Sequence, residues 1–449
     1  MYGPLRFCVT LLLLCATSVM QPVAAQVSST EESPADTLTL EAAVQEALEA
    51  NYDVQVARTD AAIAENNVTL GNAGYLPRAS ASGQASQSIA NSTVEFGGSQ
   101  QTDSGVVSTN YNAGAEARWT LFDGFRRGAT YDRLQAERSQ QQAATREQVE
   151  LVVADVVVVY SDVARLQQQV DVFEEAVSIS EERLRIAQLR KDLGSASDLE
   201  VRQAVVDLNT DRADRLRIRA DLTAARSRLA RLLGRTAPDG PPVSSDVALD
   251  PNLQEARLRD IAQSQSPALR QAEQAVAVAR EEVAEERSDW FPSLDLFGGY
   301  SYARTENGAG AFQFNEASQF EYGASLAFTI FDGFERERRV ENAELRVQAA
   351  KYRQSDAEAR LAAEITGAFE QYRNRLAVVE LEQENVTAAS ANVDIALERF
   401  RLGTITSVEL REVQQQRIRA ESRLLDARFE AKQAEIELLR LSGQLVDGP

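Results

Sequence analysis

Tyr111, Ala113, Ala115, Ala117, Trp119 and Leu121 alternate with Asn112, Gly114, Glu116, Arg118 and Thr120. Phe320, Tyr322, Ala324, Leu326, Phe328 and Ile330 do the same, and Leu294, Leu296, Gly298, Tyr300 and Tyr302 form a third run. Period-two alternation with one apolar face predicts β-strands. A fourth, weaker alternation follows Pro77. Elsewhere the apolar residues recur every three and four positions. Val152, Val156, Val159, Val163, Leu166, Val170, Phe173, Val177 and Leu184 make one such seam. Ile365, Phe369, Tyr372, Leu376, Val379, Val386, Val393, Leu397 and Phe400 make another. A sustained 3.5-residue period predicts coiled-coil helices with left-handed supercoiling. About 70 such residues at about 1.5 Å each span on the order of 100 Å.

The two rhythms occur in the same order twice. Thr120-Leu121-Phe122-Asp123-Gly124-Phe125-Arg126 returns 209 residues later as Thr329-Ile330-Phe331-Asp332-Gly333-Phe334-Glu335. The same offset carries Leu193-Gly194-Ser195 onto Leu402-Gly403-Thr404, and Val156, Val163 and Val170 onto Ile365, Tyr372 and Val379. A period this long marks a duplicated half-protein rather than a solenoid. The expected first repeat spans 26–235, with a helix, a strand pair over 76–122, a long helix over 124–193 and a helix over 198–233. A proline-rich linker over 236–251 follows. The second repeat, 252–449, has a helix, a strand pair over 292–331, a long helix over 333–402 and a helix over 404–441. The segment from Pro77 to Phe122 is six residues longer than that from Pro292 to Phe331, which predicts a longer loop on the first strand pair.

Residues 1–25 read as a secretory signal: Arg6 is the one charge, Phe7 to Met20 is apolar, and Val23-Ala24-Ala25 precedes the expected cleavage. Both cysteines, Cys8 and Cys15, fall inside it, and the chain has no histidine. Thiolate and imidazole chemistry are therefore missing, as are disulfides and the commonest zinc ligands. No enzyme activity, cofactor or metal site is expected. The formal charge of −21, or −22 after cleavage, suits nucleic acid poorly. No later segment is apolar for long enough to be a transmembrane helix. Strands of about ten residues with one apolar face instead suit an outer-membrane lipid environment. Four strands cannot close there, because open edges leave backbone groups unsatisfied in lipid. Several copies must share one barrel, and a homotrimer supplies twelve strands.

The Phe-Asp-Gly turn from strand into long helix, used twice, and the Leu-Gly hairpin tips about 70 residues downstream resemble the TolC family of outer-membrane efflux proteins. The resemblance covers essentially the whole mature chain. It implies a mainly α fold with membrane β: a long coiled-coil α-barrel in the periplasm, and four β-strands per chain completing a 12-strand trimeric β-barrel in the cell outer membrane. It further implies the exit duct of a tripartite efflux pump or type I secretion system. The partners would be a periplasmic adaptor and an inner-membrane transporter of resistance-nodulation or ABC type.

Carried over residue by residue, the resemblance makes Phe122, Asp123, Gly124, Phe331, Asp332 and Gly333 the strand-to-helix turns. Leu193, Gly194, Ser195, Leu402, Gly403 and Thr404 become adaptor-docking tips, and Glu200, Glu409 and Glu412 a pore constriction of stacked acidic rings. Two positions depart from the family pattern. Ile405 stands where a member has a pore-locking arginine, and Phe400 where it has a tyrosine, so closure must use other contacts, with Arg399, Arg401 or Arg411 as candidates. The competing readings are a trimeric surface adhesin and a soluble periplasmic coiled-coil scaffold. Internal rather than C-terminal strands speak against the adhesin.

Overall fold

The computed structural model describes residues 37–236, 242–245, 248–308 and 313–446. The expected signal over 1–25, and residues 237–241 and 246–247 of the expected linker, lie outside the described residues. In the first half come helices α1 (Leu40–Ala50) and α2 (Tyr52–Asn67), strands β1 (Arg78–Phe96) and β2 (Ser99–Asp123), then helices α3 (Arg126–Asp192) and α4 (Asp198–Leu232). The second half repeats this order: α5 (Glu255–Gln265), α6 (Pro267–Arg287), a short 3-10 turn, β3 (Ser293–Asn307), β4 (Phe314–Ala327), α7 (Glu335–Arg401) and α8 (Ser407–Ser442).

The single helix expected before each strand pair is in fact two. Asn51 is buried, and its side-chain oxygen accepts the N–H groups of Asp53 and Val54, which caps a new helix. Its amide donates to the Leu232 carbonyl at 2.8 Å, tying the break to the end of α4. In the second half the break falls at Ser266-Pro267; proline suits the first helical position but disfavours helix in the residue before it. A second correction concerns β4, which ends at Ala327 although the alternation runs on to Ile330. Ala327 pairs with Ser293, the first residue of β3 after Pro292, so Phe328 and beyond have no strand opposite them.

The strands form one antiparallel sheet in the order β1-β2-β3-β4. The duplicated halves are joined through β2 and β3, from Asp123↔Ser293 to Ser108↔Asn307. Trp119, Ala115 and Tyr111 lie opposite Leu296, Tyr300 and Arg304, while Leu296, Gly298 and Tyr300 lie opposite Ala324, Tyr322 and Phe320. The apolar positions therefore share one face. It runs from Leu294 to Tyr302, about 26 Å of strand, close to the roughly 25 Å apolar band of outer-membrane barrels. Arg304 and Glu316 end it. The opposite face carries Ser80, Glu116, Arg118, Asp295 and Glu321.

Around the helices, α3 is the axis of the core. Val152, Val156, Val163, Leu166, Phe173 and Val177 are buried, as the heptad spacing predicts, and a second buried stripe (Val153, Ala154, Val157) meets Ile436 of α8. Tyr160 donates to the Leu38 carbonyl and Tyr372 to the Asp250 carbonyl, each at 2.7 Å, which ties the segment leading each half onto its long helix. Val243 of the linker is buried beside Leu38 and hydrogen-bonds both ways with Gln167.

The duplicated long helices have unequal surroundings. α3 and α7 each have 67 residues, yet α3 buries 19 of them and α7 only 9. α3 packs on α2, α4, α6 and α8, whereas α7 packs on α6 and α8 and only briefly on α5. Leu345, Tyr352, Leu381 and Ile395 of α7 stay exposed, as do Val56 and Ile63 of α2 and Val205 and Leu216 of α4.

Gly234 and Gly443 end α4 and α8 with positive φ against the neighbouring helix breaks. A Cβ on Gly234 would stand 2.5 Å from the Ala50 carbonyl oxygen, and one on Gly443 2.8 Å from that of Gln265. At Gly194 φ is also positive, but nothing lies within 4 Å. Gly194→Ala should cost about 1 kcal/mol, the left-handed strain alone. Gly234→Ala adds the backbone clash and should lower the urea midpoint well beyond that. Equal midpoints for the two variants would remove the clash argument.

Candidate functional site

Three places concentrate the residues singled out by the repeat. At the strand-to-helix turns, Gly124 and Phe125 both have positive φ (70° and 72°), as do Gly333 and Phe334 (72° and 66°). The two phenylalanines are the only non-glycine residues with positive φ among the described residues. Left-handed backbone costs such a residue about 1–2 kcal/mol, and two contacts offset it. Phe122 and Phe125 meet edge to face at 5.3 Å, and Phe331 and Phe334 at 5.5 Å, which contributes about 0.5–1.5 kcal/mol. Asp123 accepts the Arg127 N–H, and Asp332 accepts those of Glu335 and Arg336, so the aspartate caps each long helix.

The second half of this turn lies just beyond the repeated heptapeptide in the first half of the chain and at its equivalent in the second. Arg127 and Arg336, also 209 apart, ion-pair with the capping aspartates at 3.3 and 3.0 Å. Their guanidinium groups stack on Tyr75 (5.1 Å) and Trp290 (4.8 Å), each two residues before the proline that leads into a strand. An offset of 215, carrying Tyr75-Leu76-Pro77 onto Trp290-Phe291-Pro292, was the signal available. Leu76, Trp119, Phe125, Trp290, Phe291, Phe331 and Phe334 are exposed here together. They form an aromatic-rich belt where strands give way to helices, as at a membrane interface.

At the far end of the sheet the longer first loop proves to be a longer hairpin. β1 and β2 stay paired to Phe96↔Ser99, across Gly97 and Gly98, which both have positive φ. β3 ends opposite Ser108. Among the described residues, the eight residues Ser99–Val106 of β2 thus run on with β1 alone, about 26 Å of strand, while the Val107 carbonyl still accepts the Gly308 N–H. A register shift between Ala90 and Ser92 kinks this extension, where Asn91 accepts the Gly105 N–H at 2.8 Å.

The third place is the helical tips. Lys191 and Arg190 carbonyls accept the N–H groups of Gly194 and Ser195, and Phe400 and Arg399 carbonyls those of Gly403 and Thr404. Both are Schellman closures with glycine in the left-handed position. Leu193 and Leu402 stand out from them, 75% and 77% exposed. Ser197 caps α4 on the Glu200 N–H. Thr406 caps α8 on the Glu409 N–H, and the Glu409 carboxylate returns to the Thr406 N–H and hydroxyl, a complete capping box. Glu409 is therefore tied into the helix start. Glu412, one turn on, is exposed, and Glu200 is half-buried.

Above the tips a buried ionic cluster joins the two helical hairpins. Arg411 of α8 donates both terminal nitrogens to Asp211 of α4 at 2.7 and 2.8 Å. Ser180 of α3 also donates to Asp211, and the fully buried Arg183 to Asp207. Removing one partner from such a buried pair costs about 3–5 kcal/mol, because the other charge is stranded. Nearer the tip, Arg190 donates to the Phe400 carbonyl and lies 4.5 Å above the Phe400 ring. Of the three arginines expected to replace the missing lock, Arg411 makes this cross-hairpin contact; Arg401 pairs within α7 with Glu398. Among the described residues no cluster of acidic side chains could hold a metal ion. No helix there is long and apolar enough to cross a membrane.

A family model described as outer membrane efflux protein matches residues 43–235 and 258–444, one segment in each half. Solved structures share the fold at low identity. CusC is 19% identical with a TM-score of 0.71, covering 90% of this chain and 92% of its own. The Campylobacter jejuni CmeC outer membrane channel is 16% identical with a TM-score of 0.73, covering 90% and 85%. The Neisseria gonorrhoeae MtrE outer membrane channel, in its open state, is 18% identical with a TM-score of 0.69, covering 90% and 89%. Among curated proteins nothing matches.

The first turns of α4 and α8 depend on ionised carboxylates. Hydrogen bonds from Lys191 and then Arg202 hold the exposed Asp198 down to about 2. The backbone N–H and then the hydroxyl of Thr406 hold Glu409 below the usual carboxylate range. Both values are depressed in the folded state, so this stabilisation is complete above the unfolded carboxylate range and is lost as pH falls through the folded one. Hydrogen-exchange protection of the two turns should be level from pH 7 to about 5 and drop from about pH 4 downward. The variant Asp198→Asn plus Glu409→Gln should lose that dependence. A drop already at pH 6 would assign it to other groups.

Proposed function

The chain belongs to the outer membrane efflux protein family, and on that premise we propose that three copies form one exit duct. Each copy gives four strands to a 12-strand outer-membrane barrel and four long helices to a periplasmic tunnel. The observation that carries this reading is the inequality of α3 and α7. The faces that α3 covers with α2, α4, α6 and α8 have duplicated counterparts on α7, and half of those are bare. The matching bare faces belong to α2 and α4 of the same chain, so a second copy supplies what α7 lacks. Closed threefold symmetry satisfies all of them and both open sheet edges together. An adhesin or a soluble scaffold accounts for neither the family match nor the paired turns. In mild detergent the chain should run as a trimer that converts to monomer on heating; a monomer under both conditions would overturn the assembly.

The tips are the docking end for a periplasmic adaptor, which connects the duct to an inner-membrane transporter. Support comes from the outward Leu193 and Leu402 and the glycines beside them, which leave a partner hairpin room to approach. Replacing Gly194 and Gly403 with tryptophan should abolish adaptor crosslinking and efflux while the heat-modifiable trimer survives. Intact efflux would reduce these glycines to helix terminators.

The constriction is an acidic ring to which Glu200 and Glu412 contribute, and Glu409 adds a fixed negative charge from its capping box. Rings of carboxylates favour cations and oppose anions. In planar bilayers Glu412→Gln should lower cation selectivity more than Glu409→Gln does. Unchanged selectivity in both would remove the ring.

A further inference from the structure

The duplication provides an internal control for the tip. In the trimer proposed above, the helical hairpins meet at two kinds of seam. One joins α3 and α4 to α7 and α8 of the same chain. The other joins α7 and α8 to α3 and α4 of the next copy. Subtracting or adding 209 converts every contact of the first seam into its counterpart at the second.

The seam inside the chain is ionic along its length. From the middle of the helices to the tip it holds Arg165–Asp426 at 2.8 Å, Gln169–Ser422 at 3.5 Å and Glu175–Arg417 at 2.6 Å. Next come the cluster of Ser180, Arg183, Asp207 and Asp211 with Arg411, and Arg190 on Phe400. At the seam between copies, Arg165–Asp426 becomes Asn374 with Arg217, and Gln169–Ser422 becomes Val378 with Ala213. Glu175–Arg417 becomes Glu384 with Leu208. The buried cluster keeps Arg202 in place of Arg411 but offers it Ala389, Asn392, Gln416 and Ala420. Arg190 on Phe400 becomes Arg399 facing Lys191, two cations. Arg202 is in any case engaged by Asp198 of its own helix. No counterpart retains an ion pair.

We infer that the tip opens at the seam between copies, and that the two hairpins of each chain move as one pinned unit. Opening along the inner seam would separate Arg411 from the almost fully buried Asp211 and break Arg165–Asp426 and Glu175–Arg417 as well. Opening between copies has no such pair to break, since the counterpart positions hold none and Lys191 and Arg202 are both engaged by Asp198 of their own hairpin. The loss of the family's locking arginine and tyrosine at Ile405 and Phe400 fits this division, since here Phe400 serves the inner seam.

The inference rests on the trimeric duct, and paired cysteines test the two separately. The only native cysteines, Cys8 and Cys15, lie in the expected signal. Gln169→Cys with Ser422→Cys should oxidise to a disulfide within one chain and leave conductance and efflux unchanged. Val378→Cys with Ala213→Cys should oxidise to a covalent trimer whose conductance is lost and returns on reduction. If the second pair yields no covalent oligomer, the trimeric arrangement itself fails. A covalent trimer that conducts normally, or a within-chain disulfide that closes the channel, would overturn the seam assignment while leaving the trimer intact. Recovery on reduction excludes misfolding as the cause of any loss.

Discussion

In hydrocarbon every backbone N–H and C=O must find a partner within protein, because an unmatched one costs several kcal/mol. The present sheet satisfies its interior strands and leaves the outer edges of β1 and β4 open. The rest of the architecture depends on resolving this. Rotating copies about an axis joins edge to edge, and the same rotation brings α2 and α4 of one chain to the bare side of α7 in the next. One symmetry operation therefore satisfies polar groups in the membrane and apolar groups in the periplasm. The Phe-Asp-Gly-Phe turns keep the two problems in register. Each leads from the sheet into a long helix through a capping aspartate, a ring pair and an arginine stacked behind.

Much of this was legible in the sequence because it was written twice. The long helices and the strand faces follow from periodicity, and the offset of 209 matches the long helices, the hairpin tips and the faces of β2 and β4 against their copies. What failed to show was set by single side chains or by partners elsewhere in the chain. Asn51 looks like any polar residue in a helical stretch; its cap on Asp53 and Val54 together with its bond to Leu232 makes it a break. β4 ended early because β3 has no residue to offer before Ser293, which alternation alone cannot reveal. Tyr75 and Trp290, on which Arg127 and Arg336 stack, hid behind a second offset of 215, and the cluster around Arg411 joins residues some 200 positions apart. For Glu409, the Thr406-x-x-Glu409 spacing was a readable capping-box signature that the acidic-ring reading overlooked.

The two halves have diverged where duplication gave them different neighbours. The turns, the tips and the seam of each long helix remain alike because each performs the same task in its own half. The contacts between hairpins do not, since one set is made within a chain and the other is left for a neighbouring copy. In the proposed trimer the duplication would thus produce six similar hairpins around one axis but two chemically distinct interfaces between them.

The extended β1–β2 hairpin shows the reverse case, a feature present in only one half. It is the part of the chain farthest from the helices, and three copies would crown the mouth of the barrel outside the cell. From Ala79 to Ala117 it contains serine, threonine, asparagine, glutamine and glycine in abundance but not one lysine or arginine. A trypsin-like protease arriving from the medium therefore finds no bond to cut anywhere along the most accessible stretch of the protein. Resistance to such cleavage would come from residues that are missing as much as from its pairing.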